Sequence, residues 1–103
     1  MESQVAVYCL GDPRTGDTCY VGRTSNLARR LKEHRGTDVN NKGKLLVAWI
    51  KKLRAKNLYP VMVVLQWTDD PALEEETIIR MKAEGHPLLN FMSKRMLSKL
   101  GTA

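Results

Sequence analysis

The chain has 103 residues, with 17 Lys or Arg against 11 Asp or Glu and a formal net charge of +6. That length holds one domain, and a hydrophobic content of 43% is enough for a core, which excludes a disordered chain. The longest apolar runs, residues 45–50 and 61–65, fall far short of a membrane span. The start, Met1-Glu2-Ser3-Gln4, lacks the basic and apolar segments of a secretory signal. Two cysteines make no disulfide framework, so the expected setting is reducing: cytoplasmic, or nuclear in a eukaryote.

In chain order, residues 5–10 (VAVYCL) read as a strand, rich in β-branched and aromatic side chains. Residues 11–17 are dense in turn formers and reverse the chain into a second strand at residues 19–22. Thr24-Ser25-Asn26 supplies a helix N-cap, and residues 27–35 form the first helix, with Leu27 and Leu31 one turn apart. Residues 36–42 are a polar loop. Residues 44–56 place Leu46, Trp49, Ile50 and Leu53 at helical spacing, with lysines over the rest of the surface. Residues 59–67 (YPVMVVLQW) read as a third strand, largely buried, with Pro60 at its beginning. Asp70 and Pro71 predict the N-cap and first turn of a helix over 72–84, ended by Gly85. Residues 86–90 cross over, and 93–100 are a short basic amphipathic helix. The order is β-β-α-α-β-α plus a C-terminal helix. A small sheet covered by helices, of α/β or α+β type, is the economical packing. Residues 1–92 make the domain and 93–103 a basic tail.

Charge is unevenly distributed. Residues 23–56 hold 11 bases and two acids, a net +9, whereas residues 69–76 hold five acids and no base. This pattern suits a phosphate-binding surface beside a metal-binding corner, although two solvated helix faces of opposite sign would look the same. On the first helix Arg30 lies roughly 60° round the axis from Leu27, on the shoulder of the apolar stripe. His34 follows one turn later on the same side, so the two read either as a phosphate clamp or as a surface arginine and a helix-capping histidine. Glu75 lies three and four residues before Ile78 and Ile79 and is turned partly inward, where a divalent cation would compensate a buried carboxylate. Glu76 faces Arg80, and Glu74 sits where acids favour a helix start; all three would also serve the helix dipole alone. Tyr8 and Tyr20 lie near each other across the hairpin, as packing partners or as phenols aimed at a phosphate or water. Gly22 is a place where backbone approaches a ligand, or simply a strand end. Cys9 and Cys19 are read as small core residues. There is no zinc-ligand spacing, P-loop or dinucleotide fingerprint.

Together these residues resemble the GIY-YIG nuclease family. Ala6-Val7-Tyr8 and Tyr20-Val21-Gly22 are similar to its paired GIY and YIG strands, with Ala6 in place of the first glycine. Arg30 and His34 resemble its helix arginine and histidine, Glu75 its metal-binding glutamate, and Asn90 the asparagine that closes the motif. Asn40 and Asn41 stand where some members carry a further histidine. The resemblance runs from residue 5 to residue 90. It implies a three-stranded antiparallel sheet flanked by helices and hydrolysis of DNA phosphodiesters with Mg2+, or Mn2+ as a substitute. The implied roles are metal binding for Glu75, phosphate pairing for Arg30, general base for Tyr8, positioning or proton relay for Tyr20 and His34, and hydrogen-bonded support for Asn90. Arg23, Lys44, Lys51 and Lys52 would contact phosphates without reading sequence. RNA is a further polyanion of the same charge. Targeting would come from a partner protein, a homodimer or loops such as residues 36–43, since 103 residues leave little room for a reading module. The alternatives are a DNA-binding module of this fold without catalysis, and a protein-binding domain whose basic face meets an acidic partner.

Overall fold

The computed structural model describes residues 4–35 and 44–101. The polar loop expected at 36–42, with Asn40 and Asn41, lies outside the described residues. The elements are β1 (Val5–Gly11), β2 (Thr18–Thr24), α1 (Leu27–Arg35), α2 (Lys44–Ala55), β3 (Val61–Thr68), α3 (Leu73–Ala83) and α4 (Lys94–Gly101). This is the expected order. The three strands form one antiparallel sheet, β2-β1-β3, with β1 at its centre.

β1 divides the core in two. Ala6 through Leu10 are all buried, because helices cover both faces of this strand. Tyr8 and Leu10 point to one face and pack with Leu46, Trp49, Ile50 and Leu53 of α2, the stripe expected from helical spacing. Val7 and Cys9 point to the other and pack with Val21, Ile78, Met81, Leu88 and Met96. Cys9 and Cys19 therefore belong to different clusters; both are free thiols, and burial pushes both pKa values up. Met96 brings α4, the basic tail, into the second cluster.

Local chemistry sets the element ends. Gly16, with φ of 81°, turns the hairpin. Within that turn the buried Asp12 carboxylate accepts hydrogen bonds from Arg14 Nε (3.0 Å), Arg14 Nη2 (2.8 Å) and Trp49 Nε1 (3.0 Å), tying the hairpin to α2. Those donors, Arg14 foremost, hold the Asp12 carboxyl well below the usual range. Asn26 caps α1, its Oδ1 accepting the Arg29 N–H at 3.0 Å. Gly85, with φ of 97°, ends α3. At the start of α3 the cap differs from expectation. The N-cap position is Ala72, which has no capping side chain. Asp70 acts earlier, accepting the Ala72 N–H at 2.9 Å in the turn that leads into the helix.

The main departure is β3. Its apolar run predicts burial, yet Val61, Val63, Val64, Leu65 and Trp67 are 38–50% exposed. Of this strand, Met62 packs against the first core cluster. An apolar run says that a strand lacks a polar face; it does not say that anything covers both faces. α3 and α4 pack over β1 and β2 and leave the β3 side of the sheet open.

Candidate active site

The hairpin and α1 bring four of the singled-out residues together. Tyr8 on β1 pairs with Gly22 on β2, and Tyr20 pairs with Leu10, so both phenols project to the α1 side of the sheet. Their ring centroids are 6.5 Å apart. His34 enters from α1 with its ring 5.7 Å from Tyr8 and 5.8 Å from Tyr20. A hydrogen bond of 2.7 Å joins the Tyr8 hydroxyl and His34 Nε2. His34 is fully buried and its Nε2 is engaged by Tyr8, so it is an interior partner of the phenol and not a solvent-exposed side chain.

Gly22 makes this contact sterically feasible. A Cβ there would lie 2.5 Å from the Tyr8 hydroxyl oxygen and 3.0 Å from a Tyr20 ring carbon. The space expected to admit a ligand is taken by the Tyr8 phenol itself. Asn90 holds the same strand from the other side. Its Oδ1 accepts the Val21 N–H at 2.9 Å, and its Nδ2 donates to the Val21 carbonyl at 2.7 Å. Asn90 thus clamps the backbone between Tyr20 and Gly22, as a positioning residue. Next to it, the Leu89 N–H donates to the Cys19 carbonyl at 2.7 Å.

Arg30 projects from the same side of α1, its side chain 16% exposed and its Nε 3.1 Å from a Glu33 carboxylate oxygen. Burial raises the Tyr8 pKa well above its ordinary value, and the neighbouring Tyr20 adds to the rise. The charge and hydrogen bonding of Arg30 pull the other way, and Glu74 pushes up again. Burial also raises Tyr20, with Glu74 contributing upward and Arg30 downward.

The glutamates of α3 separate clearly. Glu74 acts on both tyrosines and pairs at 3.7 Å with Arg23, the residue after Gly22 on β2. Glu75 faces α4 instead, pairing through Oε1 with Arg95 and lying 4.0 Å from Lys99. Its Oε2 is buried without a hydrogen-bond partner. Arg80 pairs with Glu84 at 3.8 Å, not with Glu76 as expected. Glu74 is therefore the α3 glutamate that pairs with β2, and Glu75 the one that pairs with α4. Glu74 also lies four residues before the buried Ile78, the same kind of offset that singled out Glu75. Among the described residues no group of three or more His, Cys, Asp or Glu gathers to hold a metal ion.

Lys44, Lys51 and Lys52 are exposed on α2, whose apolar stripe packs on the Tyr8 face of the sheet. Arg23 is exposed at the β2 side, its side-chain exposure 46%. No helix among the described residues is long and apolar enough to cross a membrane. Compared with family models, curated proteins and solved structures, the chain matches none.

Proposed function

We propose that the chain is a metal-dependent DNA nuclease of the GIY-YIG kind. The observation that carries this reading is the Tyr8–His34 hydrogen bond, enclosed by Tyr20 and with Arg30 acting on Tyr8. Residues singled out in separate stretches for one chemistry meet in one cluster.

A buried phenol with a raised pKa does not act as a free phenolate at neutral pH. Paired with His34, it does not need to. As the Tyr8 oxygen takes a proton from the attacking water, its own proton passes to His34 Nε2, so the base is the pair. Such a relay uses the His34 tautomer that carries its proton on Nδ1. Arg30 offsets negative charge that builds on the phosphate. Tyr20 fixes the His34 ring by edge packing, and Asn90 holds the strand that carries Tyr20.

A divalent cation fits Glu74 better than Glu75, the residue the resemblance pointed to. Glu75 already faces two cationic side chains of α4, whereas Glu74 pairs with Arg23 on β2 and its charge acts on both tyrosines. A single carboxylate with water completing the shell is the habit of Mg2+. When bound, the ion supplies Lewis acidity toward a phosphate oxygen and the leaving group. Arg23, Lys44, Lys51 and Lys52 contribute affinity for the phosphate backbone.

The test is a cleavage panel of duplex, flapped, branched and single-stranded DNA, with RNA alongside, in Mg2+ and in Mn2+. Tyr8→Phe is expected to lower the rate by about 10²- to 10⁴-fold, the usual worth of a general base. Glu74→Gln is expected to abolish metal-dependent cleavage while Glu75→Gln keeps it. Normal cleavage by Glu74→Gln, with loss in Glu75→Gln, moves the metal to Glu75. Salt-sensitive binding without cleavage of any substrate in either metal makes the chain a binding module.

A further inference from the structure

The β3 edge of the sheet is apolar along its length. β3 reads Val-Met-Val-Val-Leu-Gln-Trp-Thr, with no charged residue, and its one sheet neighbour among the described residues is β1. Natural edges are usually blunted by a lysine, a proline or a bulge. Here Pro60 precedes the strand, and the register skips Leu65 between Val64 and Gln66, bending only the second half. Val61 to Val64 remain regularly paired with β1 and present a flat edge.

Two features at opposite ends of β3 are complementary. Trp67 is 48% exposed. By its pairing with Ala6 it lies on the face of Tyr8 and Leu10, the α1/α2 side. At the other end, between α1 and the start of β3, is an open cleft of about 410 Å3 lined by Leu31, Leu58, Tyr59, Pro60 and Met62, among others. A strand with a knob at one end and a hollow at the other is complementary to its own antiparallel copy, since a two-fold axis brings each knob to the partner's hollow.

We propose that two copies of this chain join edge to edge through antiparallel pairing of β3, forming a continuous six-stranded sheet. The flat half of the strand sets the register on Val63, which brings Trp67 of each copy opposite Tyr59 of the other, at the mouth of the cleft. The uncovered parts of Tyr59, Val61, Val63, Val64, Leu65 and Trp67 come to roughly 500 Å2 per chain, so pairing removes at most about 1,000 Å2 from water, the lower bound for a specific interface. The strand itself carries no charge: residues 57 to 68 hold no Lys, Arg, His, Asp or Glu, and the Arg54 guanidinium lies over the Tyr59 ring, 5.6 Å from its centroid. The two-fold axis of an antiparallel pair stands perpendicular to the sheet. Both α1/α2 layers therefore lie on one side, and their exposed lysines form a single basic face. The proposal is independent of catalysis.

Analytical ultracentrifugation of the full chain across roughly 1 to 100 µM, the range of a modest interface, tests it. The parent is expected to dimerise with rising concentration. Trp67→Ala should weaken the dimer at least about tenfold, and Val63→Lys should sediment as a folded monomer by circular dichroism. Because Cys9 and Cys19 are buried, a cysteine placed at residue 63 reports register: Val63→Cys should form a disulfide-linked dimer on mild oxidation and Val61→Cys should not. A parent that stays monomeric overturns the proposal. So does a Val63→Lys variant that dimerises like the parent, or equal cross-linking at the two positions, either of which puts the contact on another surface or partner.

Discussion

β2 and β3 flank the same central strand, and the sheet treats them differently. β2 has α1 and α2 on one face and α3 and α4 on the other, and Asn90 grips its backbone. β3 shares β1 as a neighbour but has most of its side chains in contact with solvent. The difference coincides with composition in a way opposite to intuition: the strand with an arginine and two threonines is the enclosed one, and the almost wholly apolar strand is the open one. Burial follows the placement of covering helices. The enclosed side holds the two phenols and the histidine at fixed separations, the kind of positioning that catalysis would require. The open side offers backbone and apolar surface, which is what association requires.

Substitutions should reproduce the asymmetry. The largest effect is expected at Gly22→Ala, where the added methyl overlaps the hydrogen-bonded Tyr8 hydroxyl and the ring must move. Overpacking of this kind costs about 3 kcal/mol. At roughly 4–8 °C per kcal/mol for a domain of this size, that is a melting-temperature drop of well over 10 °C. A drop under ~2 °C would mean that the Tyr8 ring can leave its place freely, and the comparison of the two sides would lose its steric basis. Asn90→Ala comes next. It removes both hydrogen bonds to Val21 and strands a backbone N–H and a carbonyl, at about 2 kcal/mol. Denaturant melts should show the loss, and hydrogen exchange should show it concentrated at residues 20–22. Val63→Thr, on the open strand, should change the stability of the dilute monomer by less than about 0.5 kcal/mol, as exposed positions do. A loss comparable to that of Asn90→Ala would show that β3 is as enclosed as β2.

Much of the architecture was readable before the fold. Turn residues at 11–17, the Asn26 cap, the α2 stripe and Gly85 each act over a few neighbouring positions, and each marks an element end or a buried face that the structure has. The cap of α3 was misplaced by two residues because Asp70 makes its bond in the preceding turn, a distinction between two local geometries with the same sequence signal. The site was legible in part. Arg30 and His34 share a helix face and Tyr8 and Tyr20 share a hairpin, but no local rule shows that His34 is sealed from solvent and held by Tyr8 across 26 residues. Three consecutive glutamates cannot be ranked by helix spacing alone, because each has some apolar neighbour one turn away. What separates Glu74 from Glu75 is that β2 passes one and α4 the other.

The sequence by itself determined the elements, their order, the buried stripe of α2 and the excess of positive charge on residues 23–56, because these depend on spacing, turn chemistry and composition within short stretches. Only the tertiary structure decided which phenol fills the space above Gly22, which glutamate pairs with β2, what Asn90 holds 69 residues away, and which edge of the sheet stays open. Each of these is a contact between segments distant along the chain. Such contacts follow from how helices share out the two faces of the sheet, a competition for area that no single segment encodes.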